Sequence, residues 1–315
     1  METNLPSWTI TKYEVDRENK IGVGFFSDVY KGTWRGRTVA VKVLAETTPR
    51  KLFVREVEIW KNLRHPNVLQ LCGASSASGK APWFFVSPYM KNGSLVEFLK
   101  RIGDASREWD LFRFMYEIAK GMEYLHTQDV LHGDLKAANV LVDDKLRCVI
   151  SDFGQSEMKS EAFRISGTPL PREWQAPELL LGQSRLMAEM DVYSFAICCI
   201  EILSMGRMPW PLQDDEAVRH LVLGAPHHHD SRFTNPAVQE LLRTCWDRDP
   251  KLRPPFAKIV RDIKQLRRNA GHVDLESPQT QGLPPLEEVE PHLPSPDMRP
   301  AELPPSQSLC FFFSF

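Results

Sequence analysis

The 315-residue sequence has few features of membrane or nucleic-acid-binding proteins. Its formal net charge is only -2, which gives no general attraction to nucleic acid or to an anionic membrane. The most apolar run, "VYSFAICCI" at 192–200, is bounded by Asp191 and Glu201 and predicts a buried helix rather than a membrane span. The start, "METNLPSWTI", is too polar for a signal peptide. We therefore expect a cytoplasmic protein that inserts into no membrane and binds no nucleic acid.

Cysteine is sparse and irregularly spaced. The six cysteines, at 72, 148, 198, 199, 245 and 310, form no C-x-x-C pair, which indicates reduced thiols and no zinc site. Three consecutive histidines at 227–229 could bind a metal ion. Consecutive loop residues rarely converge on one ion, so a solvated loop is the favoured interpretation.

The composition changes near residue 269. Residues 269–315 contain nine prolines, seven acidic residues and one basic residue, so this segment carries -6 and residues 1–268 carry +4. Such a segment buries too little apolar surface to order itself, and we expect a Pro-rich, acidic, disordered tail. Its "PSPDMRP" and "LPPS" pieces could dock a partner as polyproline, although a solvated tail is favoured. The final "CFFFSF" is either a small docking tag or an incidental C-terminus.

The remaining residues divide into a β-rich part and an α-rich part. "YEVDRENKIGVG", "DVYKGTWRG", "RTVAVKVLA" and "WFFVSPYM" predict strands, and "PRKLFVREVEIWKNLR" predicts one helix among them. Helical spacing then recurs in 108–127, 188–204, 235–246 and 256–268. We predict an N-terminal extension at 1–11 and a two-lobed domain at 12–268. The predicted parts of that domain are a small antiparallel N-lobe at 12–87, a hinge at 88–93 and a helical C-lobe at 94–268.

The β-rich part contains a glycine pair and a lysine that could hold phosphates. Gly22 and Gly24 lie between two strands, where bare backbone N–H groups could approach a phosphate. Lys42 ends "VAVK" one hairpin later. A lysine flanked by valines needs a partner, and Glu56 on the following helix is the favoured one, with Glu58 as the competing choice.

The stretch "HGDLKAAN" at 132–139 carries an acid, an amine and an amide at fixed spacing. Asp134 could accept a hydroxyl proton, Lys136 could neutralise a transferring phosphoryl group, and Asn139 could bind a metal ion. Thirteen residues later, "SDFG" places Asp152 after an apolar run, well set to chelate magnesium. The ordered series therefore predicts phosphoryl transfer from ATP with Mg²⁺.

These motifs, with "APE" at 176–178, resemble the eukaryotic protein kinase domain across residues 12–268. "EWQAPE", "HPNVLQLCGA" and "YMKNGSL" look like the tyrosine-kinase-like group, and Lys136 resembles serine/threonine specificity. The resemblance implies a bilobal α+β fold. It also implies that Asp191 braces the catalytic loop and that Arg253 pairs with Glu178.

The resemblance further assigns roles in binding ATP. Ser87 would be the small gatekeeper behind adenine, and the backbone of Pro88 and Met90 would read the adenine edge. The full set implied to contact ATP is Ile21, Gly22, Gly24, Val29, Ala40, Lys42, Ser87, Pro88, Met90, Leu141 and Asp152. The catalytic set is Asp134, Lys136, Lys42 and Glu56, and the metal set is Asn139 and Asp152.

Two residues depart from the family pattern. Gly133 replaces the arginine that in the family clamps an activation-segment phosphate, so we expect activity without phosphorylation of Ser160, Ser166 or Thr168. Trp60, four residues after Glu56, is bulkier than the usual leucine or methionine, and we expect it to restrict movement of the helix.

The expected function is a serine/threonine protein kinase in intracellular signalling. Lys159, Arg164 and Arg172 make the activation segment basic, which fits either acidic substrates or a solvated face. A pseudokinase scaffold and a tyrosine or dual-specificity kinase are the alternatives.

Overall fold

The computed structural model describes residues 8–24, 27–76, 79–103, 111–153, 174–182, 186–209, 217–218, 222–223 and 235–269. All of these residues belong to one compact unit of the chain, Met1–Pro285. The histidines at 227–229, the basic and phosphorylatable positions of the activation segment, and the tail beyond residue 269 lie outside the described residues. Predictions made for them stay predictions.

Five antiparallel strands form the sheet of the N-terminal half, in the order β1-β2-β3-β5-β4. These strands are β1 (Val15–Val23), β2 (Ser27–Trp34), β3 (Arg37–Leu44), β4 (Gly73–Ala74) and β5 (Phe84–Pro88). On β3, Val39 and Val41 are buried in one cluster with Ile10 and Val86, and Leu44 is buried in another. Strand alternation therefore leaves Ala40 and Lys42 on the face opposite Val39 and Val41, as the sequence predicts.

Seven helices occur in the described residues, besides two short 3₁₀ turns at Ala137–Asn139 and Pro250–Leu252. They are α1 (Arg50–Trp60), α2 (Leu95–Ile102), α3 (Leu111–Thr127), α4 (Pro177–Leu180), α5 (Ala188–Leu203), α6 (Pro236–Cys245) and α7 (Phe256–Asn269). A capping box starts α2, because Ser94 and Glu97 each accept the other's backbone N–H. Asn235 caps α6, and Pro236 takes its first position.

Helix α5 is the centre of the C-terminal half. Most of its residues are buried, including the whole of "VYSFAICC", which confirms the predicted buried helix. Helices α3 and α7 pack beside it, with Phe195 and Phe256 in edge contact at 5.4 Å. None of the described helices is long and apolar enough to cross a membrane.

The antiparallel N-lobe and helical C-lobe are thus confirmed, with five short helices and strands that the sequence did not reveal. These are α2, α4, β4, and the paired strands β6 (Val140–Val142) and β7 (Cys148–Ile150). Strands of two or three residues show no alternation, so only their tertiary pairing defines them.

The five described cysteines are unpaired thiols. Burial raises the pKa of Cys72 to about 11, and it raises the pKa of Cys148, Cys198 and Cys199 well above the usual range. A neutral thiol is a poor nucleophile, so these side chains behave as small apolar groups.

Candidate active site

Strand register aligns three residues predicted to bind ATP, Gly22, Val29 and Lys42, across strands β1, β2 and β3. Gly22 lies opposite Val29 in the β1–β2 pairing, and the Gly24 N–H donates to the Ser27 carbonyl at 2.7 Å. The strand β2 that begins at Ser27 follows the turn directly, as the sequence predicts. A β-carbon at Gly24 would lie 3.0 Å from the Ser27 carbonyl oxygen, so the tight turn favours glycine there.

Strand pairing determines the relative positions of the residues predicted to surround adenine. Ala40 is opposite Ser87 and Val39 is opposite Pro88, so the predicted gatekeeper and the first residue of the predicted hinge lie directly beside β3. Strand β6 is tied to the last residue of the predicted hinge, because the Val142 N–H donates to the Gly93 carbonyl at 2.9 Å. This bond brings Leu141 next to the hinge, although it lies 101 positions beyond Ala40.

Lys42 makes an ion pair with Asp152, with 2.5 Å between Nζ and Oδ1. Glu56, the partner predicted from sequence, is buried on helix α1 at 5 % exposure. The competing choice, Glu58, is exposed and pairs with Lys61 at 2.6 Å, so it is not available to Lys42. The Lys42–Glu56 pair itself stays a prediction.

Residues of the 132–139 stretch, the predicted catalytic loop, surround the carboxylate of Asp134. The Asn139 side-chain amide donates to the Asp134 backbone carbonyl at 2.7 Å and to Oδ2 at 3.0 Å. The Lys136 ammonium lies 3.2 Å from Oδ1. Each carboxylate oxygen therefore has a donor or a cation beside it, and the three predicted residues form one cluster.

Asn139 and Asp152 are brought together by the serine between them. Ser151 donates to the Asn139 carbonyl from both its backbone N–H, at 2.9 Å, and its hydroxyl, at 2.8 Å. Asp152 itself has φ of +57°, a backbone conformation that non-glycine residues adopt mainly at turns and functional sites. The two predicted metal ligands thus come from adjacent segments.

Helix α5 braces the loop through Asp191, as the family resemblance implies. Asp191 is 2 % exposed and accepts from the backbone N–H groups of His132 and Gly133, each at 2.8 Å. His126 lies 2.9 Å from the same carboxylate. The predicted Arg253–Glu178 pair is also present and is bidentate, at 2.6 and 2.9 Å.

Gly133 has φ of +74°. This is the left-handed region, which glycine adopts without strain and which costs other residues about 1 kcal/mol or more. The glycine therefore does more than remove a cation from the loop. It also lets the N–H meet Asp191 without backbone strain.

Sequence reasoning missed Glu201, ten residues after Asp191 on α5. Its Oε2 accepts from the Ala137 backbone N–H at 2.9 Å and from the Trp174 indole at 2.8 Å. Lys136 lies over the Trp174 ring at 5.3 Å. Burial raises the pKa of Glu201. The signal in the sequence was a single acid inside "CCIEIL", which needs buried hydrogen-bond donors.

Two comparisons with known proteins bear on this arrangement. The family model described as "protein tyrosine and serine/threonine kinase" matches residues 15–263. The chain is also 31% identical over 272 residues to the serine/threonine-protein kinase STY17 of Arabidopsis thaliana, covering 84% of this chain and 46% of that protein. The chain thus spans about half the length of this curated relative.

Proposed function

The chain belongs to the family of protein tyrosine and serine/threonine kinases, and from this premise we propose that it phosphorylates serine and threonine hydroxyls with ATP and Mg²⁺. The observation that carries the proposal is the convergence of Asp134, Asn139 and Asp152 with Lys42 and Lys136. Serine/threonine specificity rests on Lys136 in the D-L-K-x-x-N loop and on the plant relative's name.

We assign Asp134 as the base that accepts the proton of the acceptor hydroxyl. As the hydroxyl oxygen bonds to the γ-phosphorus, the bond to the bridging oxygen breaks, ADP leaves and Asp134 takes the proton. Lys136 neutralises charge on the transferring group. Lys42, supported by Glu56, holds the α- and β-phosphates.

The donor set fits magnesium. Asn139 uses its side-chain nitrogen for both hydrogen bonds to Asp134, which leaves the side-chain oxygen Oδ1 as an acceptor. Asp152 supplies a carboxylate. Hard oxygen ligands in small number suit Mg²⁺, which keeps water and phosphate oxygens as its other ligands. When bound, the ion would neutralise charge on the phosphates.

We propose further that phosphorylation of the activation segment does not gate activity. The support is Gly133, which replaces the arginine that the family usually carries before the catalytic aspartate for binding that phosphate. Cytoplasmic signalling, and a docking partner for the Pro-rich tail, belong to the same proposal. Their support is the set of buried, reduced thiols and the tail's composition.

The test is transfer of radiolabel from ATP to a generic protein substrate after phosphatase treatment, with phosphoamino-acid analysis. We expect labelled phosphoserine and phosphothreonine, and a rate lower by about 10²–10⁴ in Asp134→Asn. A phosphatase-treated enzyme as slow as Asp134→Asn would contradict the ungated activity. Label confined to tyrosine would contradict the specificity.

A pseudokinase scaffold is the second candidate, and Gly133 is the observation that favours it. Such a protein would show wild-type labelling equal to that of Asp134→Asn, whatever its phosphorylation state. Nucleotide binding without transfer would then be its remaining activity.

A further inference from the structure

A cavity of about 520 Å³ lies on the outer face of the N-terminal sheet. Its apolar lining includes Val41 and Val43 of β3, Phe84 of β5 and Ile10 of the segment before β1. Val43 and Phe84 are only partly buried, so they present apolar surface to the cavity. Because Val41 and Val43 alternate with Lys42 along β3, the cavity is on the face of the strand opposite Lys42. It is therefore separate from the candidate active site.

The chain on either side of the sheet core gives this cavity its walls. Residues 8–15 run beside β4, because the Ile10 N–H donates to the Ala74 carbonyl at 2.8 Å and the Ala74 N–H donates to the Trp8 carbonyl at 3.0 Å. The connection between β4 and β5 contributes Ser75 to the lining. A concave site of this volume, mostly apolar with a few polar groups, is typical of small-molecule binding.

The charged side chains that line the cavity are all cationic. They are Lys12, Arg17 and Lys80, and each of them is exposed. None of the three has an ion-pair partner among the described residues. Lys12 and Arg17 instead lie over the rings of Tyr13 and Tyr30, at 5.1 and 5.6 Å. These rings carry no net charge, so three positive charges at the cavity are not balanced by an acid.

The acidic residues nearest in the chain are directed elsewhere. Glu14 accepts a hydrogen bond from the Thr11 N–H at 2.7 Å and does not line the cavity. Asp16 and Glu18 alternate with Arg17 along β1, so they are on the other face of the strand. Glu18 is paired there with a lysine of β2 at 3.4 Å. Scattered surface lysines are normally just solvated, but here cations of one sign surround a concave apolar surface.

We propose that this cavity binds a small amphipathic anion, a molecule with an apolar body and an anionic head group. The apolar lining would hold the body, and the three cations would attract the head, because clefts lined by one sign of charge concentrate ligands of the other sign. The bound molecule would contact β3 directly behind Lys42, on the face away from the candidate active site. The proposal does not depend on phosphoryl transfer.

The first test compares three probes, with calorimetry of their binding to the full-length protein. Decanoate has both required parts, hexanoate keeps the head group on a shorter body, and decylammonium keeps the body but reverses the charge. We expect hexanoate and decylammonium each to bind at least about tenfold more weakly than decanoate, because one loses buried CH₂ groups and the other loses charge complementarity. Equal binding of decanoate and decylammonium would show unspecific uptake of apolar chains and would overturn the proposal.

The second test removes the cations of the cavity in the triple variant Lys12→Gln, Arg17→Gln and Lys80→Gln. The control variant removes the same charge from three exposed cations that do not line the cavity, Lys51→Gln, Lys251→Gln and Arg261→Gln. Decanoate should bind roughly tenfold more weakly to the cavity variant and within about twofold of wild type to the control. Equal weakening in the two variants would show that only net charge matters, and the proposed site would be wrong.

Hydrogen exchange of the wild type locates the bound probe without any substitution. Decanoate should slow the exchange of backbone amides several-fold in residues 10–17 and 79–84, which line the cavity, and leave the helices of the C-terminal half unchanged. Slowing that is confined to other parts of the chain would place decanoate elsewhere and overturn the assignment.

Discussion

On the catalytic-loop side of the site, buried carboxyl groups accept from backbone N–H groups, whereas on the sheet side helix α1 packs on strand β5 through aromatic rings. Asp191 binds the N–H groups of residues 132 and 133, Glu201 binds that of Ala137, and Glu117 on α3 binds that of Cys148. On the sheet side, Trp60 packs between Phe85 and Phe153. Hydrogen bonds from N–H groups to carboxyl oxygens are directional, and they are charge-assisted where the carboxyl is ionised, whereas ring contacts are neither.

The two sides of the site should therefore respond differently to amino-acid substitutions. A carboxylate that accepts two backbone donors fixes the loop in one geometry, and its removal leaves buried donors without partners. Aromatic side chains can repack after a small shift, although the Trp60 indole also donates one directed hydrogen bond, to the Leu69 carbonyl. We therefore expect substitutions on the loop side to cause larger losses of stability and activity than substitutions on the sheet side.

The largest expected effect comes from removing Asp191, because its carboxylate accepts the backbone N–H groups of His132 and Gly133 on the loop side. Asp191→Ala leaves two backbone donors unpaired and should lower the free energy of unfolding by about 2–5 kcal/mol. Urea denaturation measures this loss, and the phosphoryl-transfer rate should fall with it. The control is Asp262→Ala, which removes an exposed pair with Lys258 and should change stability by about 1 kcal/mol or less. Equal losses in the two variants would contradict the bracing role.

Glu117 tests the loop side through the pH dependence of the free energy of unfolding. Burial raises its pKa from 4.5 to about 7, so the folded state holds this proton more tightly than the unfolded state. Stability is therefore lost as pH rises from about 4.5 to about 7, by up to about 3 kcal/mol. The side-chain amide introduced by Glu117→Gln can still accept from the Cys148 N–H but does not ionise. Urea denaturation at about pH 5 and about pH 8, on either side of the raised pKa, should show the variant gaining on wild type at the higher pH. A constant difference would count against the shift.

Two substitutions of Glu201 separate the acceptor from the charge. Glu201→Ala removes the partner of Ala137 and Trp174 and should lower the free energy of unfolding by about 1–3 kcal/mol. Glu201→Gln keeps an acceptor oxygen and should lose less than about 1 kcal/mol. Denaturation and peptide kcat/KM should rank the variants in that order. A glutamine variant as impaired as the alanine variant would show that the charge is what matters.

The smallest effect is expected at Gly133. Gly133→Ala forces a β-carbon into positive φ and should lower the free energy of unfolding by about 1 kcal/mol. Gly36, at φ of +72° with no atom within 4 Å of an added β-carbon, is the matched control. Gly36→Ala should lose similar stability in thermal melting but leave the transfer rate intact. A rate loss confined to Gly133→Ala would locate the strain at the catalytic loop.

Local patterns were sufficient for much of the fold. Strand alternation predicted the two faces of β3, and helical spacing predicted α5 to within one residue. Helix α1 begins where predicted but ends at Trp60, four residues before the end of the predicted stretch. Elements of two or three residues, such as β4 and β6, were missed because a period needs several residues to appear. The acid inside α5, Glu201, was missed as a site residue because its donors come from distant segments of the chain.

The sequence by itself determined the residue types of the site and their order, because the chemistry of phosphoryl transfer requires an acid, an amide oxygen and cations at set spacings. Tertiary structure decided their partners. Lys42 pairs with an aspartate 110 residues away, Glu58 is excluded by its pairing with Lys61 on the exposed side of α1, and Gly133 fits a positive φ. Spacing along a chain fixes neighbours within a helix or strand, but contacts between segments depend on how the core packs.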